Sequence, residues 1–211
     1  VQVLLPHPEY REEIEFAEND FMLIFLEGTP TAENVITVRL NSDQLVPSLG
    51  QDMTVMGWGD TNIDLLIQEL SEVLMNVEVG IISNEECDAS EGYDETGEYW
   101  TYKDSITEDM ICAEANGTDS CQGDSGGPLV IKGDGGAEDV QVGVVSYGFG
   151  CGAAQFPGVY ARVSHEYEWI QSQLCKESGY ASEAGFDCST NNDNDQCIIC
   201  PNGTTAGDDY A

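Results

Sequence analysis

The sequence predicts an all-β protein that finishes on one helix, and three observations carry that expectation. Apolar runs of strand length recur at residues 21–26, 128–131 and 142–145. Proline and glycine punctuate the chain between such runs, as in Pro6-His7-Pro8 and Gly148-Phe149-Gly150. Helical apolar spacing is found at residues 166–174. With 211 residues, 41% of them hydrophobic, the chain can bury a sizeable core, enough for one large or two small domains.

The chemistry is concentrated in Asp119-Ser120-Cys121-Gln122-Gly123-Asp124-Ser125-Gly126-Gly127-Pro128. One hydroxyl nucleophile, Ser125, stands there among glycines, with two carboxylates and a cysteine close by. A serine in a Gly-x-Ser-x-Gly frame can sit at a tight turn where backbone N–H groups face a developing oxyanion, because glycine permits close backbone approach. The same frame forms the nucleophile elbow of α/β-hydrolases, but there a helix follows the serine directly. Here Pro128-Leu129-Val130-Ile131 follows, with strand character. The ten residues together resemble the active-site segment of the chymotrypsin/trypsin family of serine endopeptidases, and other segments agree with that family in order. The resemblance implies a two-barrel, chymotrypsin-like fold, with the second barrel complete and the first only partly present.

Taken from the N-terminus, residues 1–10 read as a strand stopped by Pro-x-Pro, similar to a His-Pro-x-Tyr element that the family carries on a surface loop. Glu18-Asn19-Asp20-Phe21-Met22-Leu23 leads a carboxylate into a buried strand and resembles the family's Asn-Asp-Ile-x-Leu-Leu segment. The resemblance makes Asp20 the carboxylate that orients the catalytic histidine; such an acid is desolvated and needs the imidazole N–H as a partner. Residues 34–40 alternate enough for a further strand, and 41–51 look like the connection between barrels. The second barrel should start near Met53, since Val55-Met56-Gly57-Trp58-Gly59 matches its entering strand. The family often bridges cysteines at the positions of Met53 and Ile131; here both are apolar, which points to a packed replacement.

Residues 69–82 carry the next strand, and Ser83-Asn84-Glu85-Glu86-Cys87 resembles the family's intermediate helix. The resemblance pairs Cys87 with Cys112 and Cys121 with Cys151. The intervening residues 91–100 form a longer loop than in simple trypsins, placed to rim the cleft. Val142-Gly143-Val144-Val145-Ser146-Tyr147-Gly148 is a strand running into a glycine-rich edge, where an extended substrate can add itself as a strand. Ser146, Tyr147, Gly148 and Gly158 are the expected substrate-binding positions beside Asp119, with Tyr147 replacing the usual tryptophan. The expected divisions are residues 1–50 for the remainder of the first barrel and the connection, 51–175 for the second barrel and helix, and 176–211 for an acidic cysteine-rich extension.

That extension holds Cys188, Cys197 and Cys200, with Cys175 just upstream, and four cysteines allow three pairings. Cys197-Ile198-Ile199-Cys200 has zinc-knuckle spacing, but no histidine lies near it and an oxidising compartment favours disulfides. No metal or cofactor is expected. Asn116-Gly117-Thr118 and Asn202-Gly203-Thr204 are glycosylation sequons. Six Lys and Arg against 40 Asp and Glu give a net charge of -34 and a pI near 4.1. Nucleic acid and anionic membranes are therefore poor partners, and no apolar run of about 20 residues suggests membrane insertion. Self-repulsion on this scale is relieved by salt, which fits a secreted protein in a saline medium.

The family's roles then fall on Ser125 as nucleophile, the N–H groups of Gly123 and Ser125 as oxyanion donors, and Asp119 as the base of the primary pocket. A carboxylate there selects Arg or Lys, so cleavage of protein or peptide substrates after those residues is implied, with protein inhibitors as further partners. Asp124 corresponds to the zymogen activation switch that pairs with a new N-terminal ammonium, although Val1-Gln2-Val3 does not match the family's Ile-Val-Gly-Gly start. The triad's histidine has no counterpart: His7 lacks the Ala-Ala-His-Cys context, and His165 is expected to face solvent before the last helix. The chain is accordingly read as part of a larger enzyme, with a non-catalytic binding homologue as the alternative and an acidic docking protein for basic partners as a third class.

Overall fold

The computed structural model describes residues 3–13, 16–28, 31, 37–62, 69–93, 97–115, 117, 119–133, 139–152 and 155–176. The strands are β1 (Val3–Pro6), β2 (Arg11–Glu13), β3 (Phe16–Glu18), β4 (Met22–Phe25), β5 (Arg39–Leu40), β6 (Asp52–Gly57), β7 (Met75–Ile82), β8 (Glu91–Tyr93), β9 (Tyr99–Thr101), β10 (Met110–Glu114), β11 (Pro128–Ile131), β12 (Val140–Tyr147) and β13 (Gly158–Arg162). Two helices, α1 (Asn84–Asp88) and α2 (Val163–Lys176), complete the described elements.

Six strands close on themselves in the order β11-β6-β7-β10-β13-β12, because β11 pairs with both β6 and β12. Closure leaves these strands without a free edge except where β5 adds in parallel to β12, with Val140 opposite Arg39. The barrel interior gathers Met53, Val55, Val79, Ile81, Leu129 and Val142 into one buried cluster, with Ile131 packed against it. Each such aliphatic side chain contributes about 1.5–3 kcal/mol by leaving water. Met53 and Ile131 thus share one apolar core in place of the bridge that the family often has.

The N-terminal strands form two separate ribbons, β1 with β4 and β2 with β3. In the first, Val3 opposes Phe25 and Leu5 opposes Leu23 on one face, while Leu4 opposes Ile24 on the other. The expected strand at residues 34–40 is described only at its end, as β5; residues 32–36 lie outside the described residues.

Two expectations are corrected. His7 is not a surface-loop residue but is buried at 7% exposure, its N–H donating to the Phe21 carbonyl at 2.8 Å and its Nδ1 accepting from the Glu9 N–H. The β1–β4 pairing draws the residue inward as the ribbon ends. Residues 91–100 are not a plain loop either: β8 and β9 pair as a hairpin, with Gly92 opposite Trp100, whose indole lies 4.8 Å from the Phe149 ring.

The helix α1 starts at an N-cap, Ser83, whose hydroxyl accepts the Glu86 N–H, so the short element is anchored before Cys87. The chain divides into two compact units, Val1–His165 and Glu166–Ala211. Of the second, residues 166–176 are described; they are helical, bury Ile170 and end at disulfide-bonded Cys175 and at Lys176. His165 is exposed. Asn116, Asn202, Cys188, Cys197 and Cys200 lie outside the described residues.

Candidate active site

The loop bearing Ser125 is folded by its own backbone and pinned to β12. The Asp124 N–H donates to the Cys121 carbonyl at 2.9 Å, and the Gly127 N–H to the Asp124 carbonyl at 2.7 Å. The Gly126 N–H donates to the Val145 carbonyl and the Val145 N–H to that of Gly127, each at 2.9 Å. Gly123 sits at φ 97°, in the left-handed region, where an L side chain would be strained. Its conformation is held from the preceding carbonyl, since Gln122 accepts the Asp60 N–H at 2.8 Å. Ser125 is exposed, and among the described residues neither its N–H nor that of Gly123 donates to a protein acceptor. Two donors are therefore left open beside one hydroxyl.

The carboxylate of Asp124 turns away from this surface. Its Oδ1 accepts the Gly59 N–H at 2.8 Å and its Oδ2 the Cys121 N–H at 2.9 Å. A Cβ at Gly59 would lie 2.5 Å from that carboxylate, which explains glycine in Gly57-Trp58-Gly59. A cavity of about 320 Å³ opens against Asp124 and Asp119, walled by Gly57, Asn62, Asn76 and Cys151. It lies on the Asp124 side of the loop; Ser125, Gly148 and Gly158 do not line it.

Asp119 is fixed by three donors on one oxygen: the Ser120 N–H at 2.7 Å, the Tyr160 hydroxyl at 3.2 Å and the Ser120 hydroxyl at 3.4 Å. Burial pushes its pKa up to about 6 despite these bonds, and the Asp124 charge adds to the rise. Holding it ionised at neutral pH therefore costs about 3 kcal/mol. Gly158 lies against it, where any Cβ would come within 2.8 Å of Oδ1. The buried Tyr102 hydroxyl accepts the Phe149 N–H and donates to the Pro157 carbonyl, both at 3.2 Å, tying together the segments that carry Gly148 and Gly158. Burial raises the pKa of Tyr102, so it stays protonated as that donor. Tyr147 keeps an aromatic surface here, with its ring 5.9 Å from Phe16 and its hydroxyl on the Met110 sulfur.

Asp20 enters the site from the N-terminal ribbons. Its Oδ2 accepts the Ser146 hydroxyl at 2.6 Å. The register of β12 against β13 shifts between Val145 and Tyr147, leaving Ser146 as the extra residue of a bulge. Bulges re-aim side chains, and here the hydroxyl expected to line a substrate subsite is committed to the carboxylate. Among the described residues, neither Asp20 nor Ser125 hydrogen-bonds to a histidine. Cys87 is bonded to Cys112 and Cys121 to Cys151, the latter joining the Ser125 loop to the segment after Gly148.

Sequence reading missed Ser120, Tyr160, Tyr102 and the second role of Ser146. Only Ser120, next to Asp119, carried a local signal; the others act across the barrel.

Among known proteins the chain is 38% identical over 168 residues to Trypsin 5G1 of Aedes aegypti, covering 78% of this chain and 56% of that protein. It is 34% identical over 177 residues to the anionic trypsin of Canis lupus familiaris, covering 83% and 63%. The chain thus spans less than two thirds of the length of these relatives. The structure resembles neuropsin, described as a serine protease expressed in the limbic system of mouse brain, with a TM-score of 0.68 and 32% identity over 82% of this chain and 70% of that one. The family described as Trypsin matches residues 1–170. Matched through its barrel and into its last helix, the chain belongs to the trypsin family of serine proteases.

Proposed function

We propose that this chain is the nucleophile-bearing part of a secreted serine endopeptidase that cleaves after Arg or Lys through an acyl-enzyme. The observation that carries the reading is the pair of unpartnered N–H groups, Gly123 and Ser125, flanking an exposed hydroxyl whose loop is pinned to the strand that also holds Asp20. In this reading the Ser125 hydroxyl oxygen attacks the scissile carbonyl carbon while its proton passes to a histidine. The two N–H groups stabilise the oxyanion, collapse expels the amine with that proton, and water then releases the acid by the reverse sequence. Asp20, held by Ser146, would orient the imidazole.

Asp119 supplies specificity: a guanidinium or ammonium reaching it replaces lost hydration with a charge-assisted bond. The Asp124 cavity suits an N-terminal ammonium, which supports a zymogen that matures by cleavage. The base must be a histidine other than buried His7 and exposed His165, so these 211 residues alone should be nearly inactive, since losing the histidine of such a triad costs about 10⁶ in kcat. On the full-length enzyme, an Arg-amide should be hydrolysed in preference to a Phe-amide. Preference for the Phe-amide sinks the Asp119 assignment, and no hydrolysis of either favours the non-catalytic homologue.

A further inference from the structure

The turn that presents Asp20 is held by a group outside the triad. Asn19 has φ 51°, a left-handed conformation uncommon for a non-glycine residue. Its carbonyl accepts the Phe21 N–H at 2.7 Å, and its side-chain amide donates to the Glu9 carbonyl at 3.2 Å. Its own N–H points across to the barrel and donates to Asp109 Oδ2 at 2.7 Å.

Asp109 is itself rigidly placed. It stands immediately before β10, only 6% exposed, and its carbonyl accepts the Arg162 N–H at 2.7 Å where β13 ends. The Thr107 hydroxyl donates to its Oδ1, and the Thr107 carbonyl accepts from the Asn84 amide of α1 at 2.8 Å. A buried carboxylate is costly unless its oxygens are paired, and here one oxygen is given to the Thr107 hydroxyl and the other to the N–H of Asn19, the residue before Asp20. A hydrogen bond from a backbone N–H to a carboxylate is among the stronger kinds.

We propose that Asp109 is a positioning residue for Asp20: it fixes the Asn19 peptide in its left-handed turn while Ser146 fixes the carboxylate, so that the barrel sets both ends of the orienting group. The proposal rests on the endopeptidase reading above. Asp109 touches no reacting atom and acts only through Asp20, so its loss should tilt the imidazole and leave substrate binding intact. Misplacement by about 1 Å can cost on the order of 100-fold.

The test uses the full-length enzyme with an Arg-amide substrate, together with amide hydrogen exchange at Asn19. Asp109→Ala should lower kcat at least tenfold with KM within about twofold, and should speed exchange of the Asn19 N–H. Asp109→Asn keeps an oxygen for that N–H and should restore both. Val79→Ala, a truncation in the barrel core that removes no hydrogen bond, controls for simple destabilisation and should leave kcat near wild type below its melting point. If Asp109→Ala matches Val79→Ala in kcat, or leaves Asn19 exchange unchanged, the proposal is overturned. An inactive wild type whose Asn19 exchange still responds to Asp109→Ala would instead overturn the endopeptidase reading and keep the hold of Asp109 on Asn19.

Discussion

The barrel from Asp52 to Arg162 and the ribbons from Val3 to Phe25 are built from similar residues and solve burial differently. In the barrel, β11 closes the sheet and Leu129, Val142 and Ala113 are fully buried. In the β1–β4 ribbon, Leu4, Met22 and Ile24 remain 50–57% exposed on one face. The barrel carries Ser125, the open N–H groups of Gly123 and Ser125, and Asp119, to which the proposed mechanism gives the nucleophile, oxyanion and pocket roles. The turn between β3 and β4 carries Asp20, proposed to aim the base, and its carboxylate is anchored from the barrel by Ser146. In the proposed mechanism the placement of Ser125 rests on a finished core, while the geometry of Asp20 depends on that core through a few hydrogen bonds.

The largest effects should come from breaking each half of that division chemically. In the full-length enzyme, Ser125→Ala should lower kcat about 10⁶-fold and Asp20→Asn about 10⁴-fold, both without a large change in melting temperature. Near-wild-type turnover in either variant would remove that residue from the mechanism. The next contrast is in stability. Leu129→Ala in the closed core should cost about 2–5 kcal/mol, whereas Ile24→Ala on the open ribbon face should stay within about 0.5 kcal/mol. Equal losses in denaturant titrations would mean that the ribbon face is covered in the full protein, which would sharpen the comparison rather than end it.

The smallest predicted effect concerns pH. Because the Asp119 pKa lies near 6, above its unfolded value, this group weakens the fold as pH rises from about 4 to about 6. A cation binds only the ionised form, so benzamidine affinity for the full-length enzyme should fall about tenfold per pH unit below about 6. A flat titration between pH 7 and pH 5 would show that Asp119 is not the group that the amidine meets.

Much of the site was legible because its chemistry is written contiguously. Residues 119–128 bring together, within ten positions, the residues given the pocket, bridge, donor and nucleophile roles, although Gly59, Asp60, Val145 and Cys151 hold the loop in place. The strand character of β6, β11 and β12 was likewise local, since apolar side chains at strand spacing have few alternatives to a sheet core. The β8–β9 pairing carries no clear local signal, because charged residues and glycine mask it; the Trp100–Phe149 contact supports it from outside.

The sequence alone carried the resemblance to a family, through residues 119–128 read together and other segments in the same order. Tertiary structure alone decided the support: Tyr160 on Asp119 across 41 positions, Asp109 on Asn19 across 90, and Ser146 on Asp20 across 126. Such pairs leave no periodic or local trace, because each joins residues far apart in the sequence that only the closed barrel and its bulge bring together. Their burial then makes them matter, since a polar group removed from water must find its partner inside the protein.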